Sequence, residues 1–265
     1  MFLNTFKSDF IRCFNLKKII FILLAFVIVL LGGQAQYISI AAKFDYEQTG
    51  GIVEILGNAL SFDKFKIVMV VLLAALHTNS FCKDDNTHYI RMILNRTNPI
   101  CYTQARFLTN TIIIICISIL GFLLAAAVLF PFFPLVPVLR DYDCYYKTLA
   151  LNYPVLYLLL MGFQFGIVVA AFSSIGLVFS TFQPNSFVSI GLTGLVFFLS
   201  VSYIPPESVF DVLPLISMIP SFIKSTDASH ILNLSWSIFY PAVVILACGY
   251  IFYRRLDWRI ENGNI

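Results

Sequence analysis

From Thr148 to Pro206 the chain carries no Asp, Glu, Lys or Arg, and the same is true from Phe107 to Leu139. Such runs constrain the fold more than any other feature. A bilayer core about 30 Å thick is crossed by roughly 20 helical residues, and only helices or closed barrels satisfy their backbone groups there. Composition points the same way, with 59% hydrophobic and 12% charged residues and a mean hydropathy of +0.87. A soluble core of this size would leave much apolar surface uncovered, whereas lipid covers it. The expected fold is an all-α integral membrane protein, a single transmembrane domain over residues 1–265.

Uncharged stretches place six spans near 19–42, 66–82, 107–130, 151–182, 186–204 and 235–253. The first follows Lys17-Lys18, and the second is short and holds His77. Pro131, Pro134 and Pro137 end the third, Gln183-Pro184-Asn185 supplies a turn between the fourth and fifth, and Arg254-Arg255 closes the sixth. Lys17-Lys18, an apolar stretch and "GGQAQY" also imitate a secretory signal, but the apolar character continues through "YISIAA" and the preamble is long for one.

Six spans put both termini on one side, and basic residues choose the side. Residues 1–18, the 83–106 insert and the tail after Tyr253 hold 11 of the 17 Lys and Arg, while the alternate segments hold 9 of the 14 acidic residues. The expectation is a multi-pass protein of the cell membrane with both termini and the insert cytoplasmic. Within residues 1–18, Leu3, Phe6, Phe10 and Phe14 recur at helical spacing with Lys7, Asp9, Arg12 and Asn15 on other faces. That pattern predicts an amphipathic helix in the headgroup layer.

The insert "FCKDDNTHYIRMILNRTNPICYTQARFL", Phe81 to Leu108, packs charges between two apolar runs. Asp84, Asp85 and Thr87 are good helix starters, Tyr89, Ile90, Met92, Ile93 and Leu94 form an apolar cluster, and Thr97-Asn98-Pro99 ends a helix near 87–97. A helix with so mixed a surface, held beneath two membrane helices, either docks something soluble or rests on lipid.

An amphipathic N-terminal helix, six spans, a charged short helix between spans two and three and a broken apolar segment before span six resemble the membrane subunit of ABC-2-type exporters. The stretch "KDDNTHYIRMILNRTNPICYTQARFL" resembles that family's first cytoplasmic loop. A glycine common in the family is replaced here by the run Asn86-Thr87-His88. The resemblance implies a coupling helix near 87–97 that sits in a groove of an ATPase subunit. It assigns that contact to Asp84, Asp85, His88 and Tyr89, with Arg91, Met92, Asn95 and Arg96 beyond them. It also implies a second permease copy or homologous permease as partner, and short re-entrant helices in 205–227 where an ordinary outer loop is the alternative.

No G-x-x-x-x-G-K-[ST] occurs, so no cofactor is expected on this chain, and ATP with magnesium would sit on the partner subunit. G-x-S-x-G and H-E-x-x-H are absent as well, and the cysteines, Cys13, Cys82, Cys101, Cys116, Cys144 and Cys248, show no metal-type spacing. The chain is therefore not expected to be an enzyme. Its net charge of +3 gives no argument for a nucleic-acid partner. Because the expected spans hold no Asp, Glu or Arg, and Lys only at the edge of the second, a proton- or sodium-driven transporter is disfavoured, and the expected cargo is amphipathic or apolar: a peptide such as a bacteriocin, a drug or a lipid. Gln34, Gln36, Asn110 and Gln164 are left as pathway residues or as hydrogen-bonding glue between helices. "GFQFG", Gly162 to Gly166, marks a close helix contact within the chain or between protomers. A polytopic scaffold or accessory membrane protein is the alternative to a permease.

Overall fold

The computed structural model describes residues 2–35, 38–39, 51–60, 63–136, 147–203 and 230–263, and every regular element among them is helical. We number the helices α1 (Phe2–Cys13), α2 (Leu16–Gly32), α3 (Ile52–Ala59), α4 (Asp63–Ala74), α5 (Ser80–Asn86), α6 (Tyr89–Leu94), α7 (Pro99–Leu129), α8 (Lys147–Asn152), α9 (Pro154–Ser180), α10 (Ser186–Tyr203) and α11 (His230–Glu261). The long uncharged runs become α7, α9 and α10, as their length demands. Gln36 and the outer segment 205–227 lie outside the described residues.

Three helices are long and apolar enough to cross a bilayer: Pro99–Leu129, Pro154–Ser180 and the Ile238–Glu261 part of α11. The pair α1 and α2, bent by 65° at its break, would make a fourth. The remaining apolar helices, in α4 and α10, are shorter. A multi-pass membrane protein fits these helices.

Local chemistry explains the helix starts. Asn98 has extended backbone and accepts a hydrogen bond from Ile100 N at 3.0 Å, with Pro99 at the first helical position of α7. Asn185 caps α10 in the same way through Phe187 N at 2.9 Å. As a result α7 begins before the expected boundary near 107, and Arg106 becomes part of a membrane-length helix.

The core forms where α2, α7 and α9 meet. Phe26, Phe122 and Phe165 pack there with ring centroids 5.9 to 6.1 Å apart, and all three are fully buried. The GFQFG motif acts within the chain. A Cβ on Gly162 would lie 2.8 Å from Ile119 Cα, and one on Gly166 2.8 Å from Ile115 Cα, so only glycine lets α9 approach α7 this closely. Ser118 seals the contact by donating to the Gly162 carbonyl at 2.8 Å.

Two elements depart from expectation. The second span, placed at 66–82, is broken: α4 ends at Ala74, a series of turns follows, and α5 starts at Ser80. A helix end leaves carbonyls without partners. Lys18 on α2 supplies them, its ammonium donating to Ala75 O at 2.6 Å and Leu76 O at 2.7 Å. The second departure is α3, which falls in the acidic segment between the first two expected spans, on the side opposite the insert. Ile52, Ile55 and Leu56 are instead fully buried in the core, and Ile52 N and Val53 N donate to Pro134 O and Leu135 O at 2.9 and 3.3 Å.

Candidate functional site

The charged insert folds as two short helices. His88 takes φ 55°, the left-handed region, and separates α5 from α6. Left-handed backbone is rare for residues other than Gly, Asn, Asp and His. The expected single helix over 87–97 is thus a six-residue helix, Tyr89–Leu94, entered through a kink.

Asp84 and Asp85 do not start that helix. They lie in the last turns of α5 and point inward. The Asp84 carboxylate, 1% exposed, pairs with Arg106 on α7, accepts from Arg12 on α1 at 2.6 Å and from the Tyr102 hydroxyl at 3.2 Å. Arg106, 3% exposed, bonds the other way to Asp9 on α1 at 2.8 Å and donates to Tyr102 OH at 3.1 Å. Two carboxylates and two guanidiniums thus meet in a four-charge square, buried except at its Arg12 corner and linked by three ion pairs, that joins α1, α5 and α7. Burial alone would raise the Asp9 pKa, yet the Arg106 charge, with His77 close beside it, outweighs it and holds the carboxyl at about 2.

His77, in the turns after α4, sits beside the square. Its Nε2 lies 3.4 Å from Asp9 Oδ2, and its Nδ1 faces Cys13 Sγ at 2.5 Å. An Asp–His–Cys line suggests nucleophile chemistry, but burial, with the Asp9 charge adding to it, pushes the Cys13 thiol up to about 11. A thiol raised in this way is a poor source of thiolate, which argues against nucleophile chemistry here. Among the described residues no group of three or more His, Cys, Asp or Glu side chains is arranged to hold a metal ion.

Asp85 is held from the other side. Arg259, near the end of α11, donates to both its oxygens at 3.1 Å and lies over the Phe81 ring at 5.5 Å. Phe81 in turn packs against Phe252 at 5.3 Å, and Phe252 against Phe107 at 5.5 Å. The insert is therefore tied to α1, α7 and α11 together.

The remaining insert residues face outward. His88, Arg91, Met92, Asn95 and Arg96 are exposed, with Met92 at 66%, while Ile90 is buried and anchors α6. Tyr89 is half-buried beneath the Arg12 guanidinium, 4.4 Å from its ring centre. The structure thus divides the eight residues assigned to the insert's contact. Asp84, Asp85 and Tyr89 hold the insert, and the other five form its free surface.

Of the polar residues expected in or between spans, Asn110 is buried and accepts from Ser173 at 3.0 Å, and Ser173 meets Thr78 at 2.6 Å, linking α7, α9 and the turns after α4. Gln34 and Gln164 are buried too. Sequence reasoning missed Asp9, Arg12, His77, Tyr102 and Arg106 as a unit. The one available signal was Arg106 at the edge of an uncharged run, where a charge has to find a partner.

No protein-family model matches the chain, and no curated protein matches it.

Proposed function

We propose that the chain is the membrane-spanning permease subunit of an ATP-driven exporter of the ABC-2 type. In this reading six spans cross the membrane, both termini and the insert are cytoplasmic, and a second permease copy and two ATPase subunits complete the machine. The observation that supports it most is the division of the insert. A small knuckle with five exposed residues, His88, Arg91, Met92, Asn95 and Arg96, is fixed rigidly through buried ion pairs to helices of membrane length. Resting on lipid would require no such anchoring. A lever does, because force applied at α6 has to reach α7 and α11 without being absorbed by bending.

ATP binding would draw the ATPase subunits together and push on α6. The Asp84–Arg106 pair passes that displacement to α7 and the Asp85–Arg259 pair passes it to α11. The cargo is amphipathic or apolar, carried along a protomer interface.

Co-purification with a separate nucleotide-binding protein tests this reading. Arg91 is exposed and its side chain has no partner among the described residues, so Arg91→Glu should fold normally. Placing that charge against a partner's acidic groups should weaken assembly by about 1–3 kcal/mol. If Arg91→Glu combined with Met92→Asp leaves both ATPase capture and export intact, the insert is not the coupling element.

A further inference from the structure

A cleft of about 420 Å³ opens between α1, α6 and the first turns of α7, and three arginines, Arg12, Arg96 and Arg106, line it with Asn4 and Ser8 of α1. Its one acidic wall residue, Asp9, already faces Arg106 and His77. Arg12 and Arg106 are charge-compensated by Asp84 and Asp9, whereas the Arg96 side chain is exposed and has no partner among the described residues. The cleft therefore presents one uncompensated positive charge together with several hydrogen-bond donors. Arg12 is pre-set for this task. One nitrogen is fixed on Asp84 at 2.6 Å and its plane lies over Tyr89, while the side chain stays 41% exposed. Asn4 and Ser8 are exposed donors whose side chains have no partner among the described residues.

We propose that this cleft binds a phosphate group, with Arg96 supplying the net charge and Arg12, Ser8 and Asn4 the hydrogen bonds. A guanidinium fork matches phosphate oxygens in pairs, and a single net positive charge suits a singly charged phosphodiester. Two sources present that chemistry, a phospholipid headgroup and a soluble phosphate. The lipid has position in its favour, because α1 turns a ladder of Phe2, Phe6, Phe10 and Phe14 away from the polar stripe, with Leu3 74% and Ile11 62% exposed. A helix of that kind lies at headgroup depth.

The test uses the purified full chain in a neutral detergent, without any ATPase, so its outcome is independent of the permease reading. Thermal unfolding is followed while dioctanoylphosphatidylglycerol, dioctanoylphosphatidylcholine or inorganic phosphate is titrated, since a ligand of the folded state raises the midpoint. The expected result is a saturable rise with the glycerol lipid. Arg96→Ala should weaken it on the order of tenfold, the loss of one charge-assisted contact, and Ser8→Ala by less. Lys7→Ala, a basic residue of α1 that does not line the cleft, should leave it unchanged. A rise with inorganic phosphate but not with the lipid, equally sensitive to Arg96→Ala, keeps the site and makes the ligand soluble. No rise with any probe, or a rise that Lys7→Ala reduces as much as Arg96→Ala, overturns the proposal.

Discussion

Asp84→Asn tests the buried square most directly. Asparagine keeps the size of the side chain and can still accept from Tyr102, so the substitution removes charge with little change of shape. Asp84 is 1% exposed and Arg106 3%, and the change leaves Arg106 with a single carboxylate, Asp9 at 2.8 Å. Breaking one partner of a buried pair costs about 3–5 kcal/mol. Asp9 still offsets part of the guanidinium charge, so the expected loss is near the lower bound, about 3 kcal/mol, or roughly two orders of magnitude in the unfolding equilibrium. The assay is reversible unfolding in mixed micelles, followed by far-UV circular dichroism. Arg106→Gln alone should cost a similar amount by stranding Asp9 and leaving Asp84 with Arg12 only, while the double variant should cost clearly less than the sum, with a coupling of about 1–3 kcal/mol. If Asp84→Asn falls within about 0.5 kcal/mol of the parent, the range of a plain surface change, or if the two losses simply add, the square does not hold these helices together.

Three further outcomes are expected. Gly162→Ala and Gly166→Ala place a methyl group 2.8 Å from α7 backbone and should each cost about 1–3 kcal/mol by overpacking, whereas Gly191→Ala, with open space around it, should not; the same unfolding assay decides. The Asp9 carboxyl titrates at about 2 in the folded chain against an ordinary 3.8. A folded pKa below the unfolded one adds stability above pH 4, about 2 kcal/mol here, and that contribution fades as pH falls from 4 to 2; unfolding measured across this range should show it, and Asp9→Asn should flatten the slope. Reporter fusions after Asn98 and at Ile265 should read as cytoplasmic, and fusions at Gly50 and Glu207 as external. Opposite signals at two of these sites would contradict the six-span topology.

The helices that could be read from the sequence are those whose evidence is local. Uncharged length announced α7 and α9, and the spacing of Gly162 and Gly166 announced a close helix contact, whereas Asn98-Pro99, read as the stop of the preceding helix, is in fact the cap of α7. The break after Ala74 was not legible, because the apolar run continues through it and the group that satisfies its carbonyls, Lys18, is 57 and 58 residues away. Asp84 and Asp85 misled for a related reason. Beside a polar turn they have the pattern of helix starters, whereas their real partners, Arg12 and Arg259, are 72 and 174 residues distant. The burial of α3 was equally hidden, since the Gly50-Gly51 approach and scattered acidic residues look like a surface loop until Pro134 and Leu135 are brought beside it.

The distance between Arg12 and Asp84 also sets a timetable for biosynthesis. The two lie 72 residues apart, so a ribosome adding about 5–20 residues per second makes Asp84 roughly 4–14 s after Arg12, and Arg106 follows later still. Through that interval the N-terminal helix is complete while its ionic partners Asp84 and Arg106 are unsynthesised. Its amphipathic character gives it a place to wait, flat on the membrane with the phenylalanines in lipid and Asp9 and Arg12 in water. Closure of the square is then a late event in maturation, made when α7 arrives, and a nascent chain arrested before Arg106 would leave its N-terminus open to protease while the full-length chain protects it.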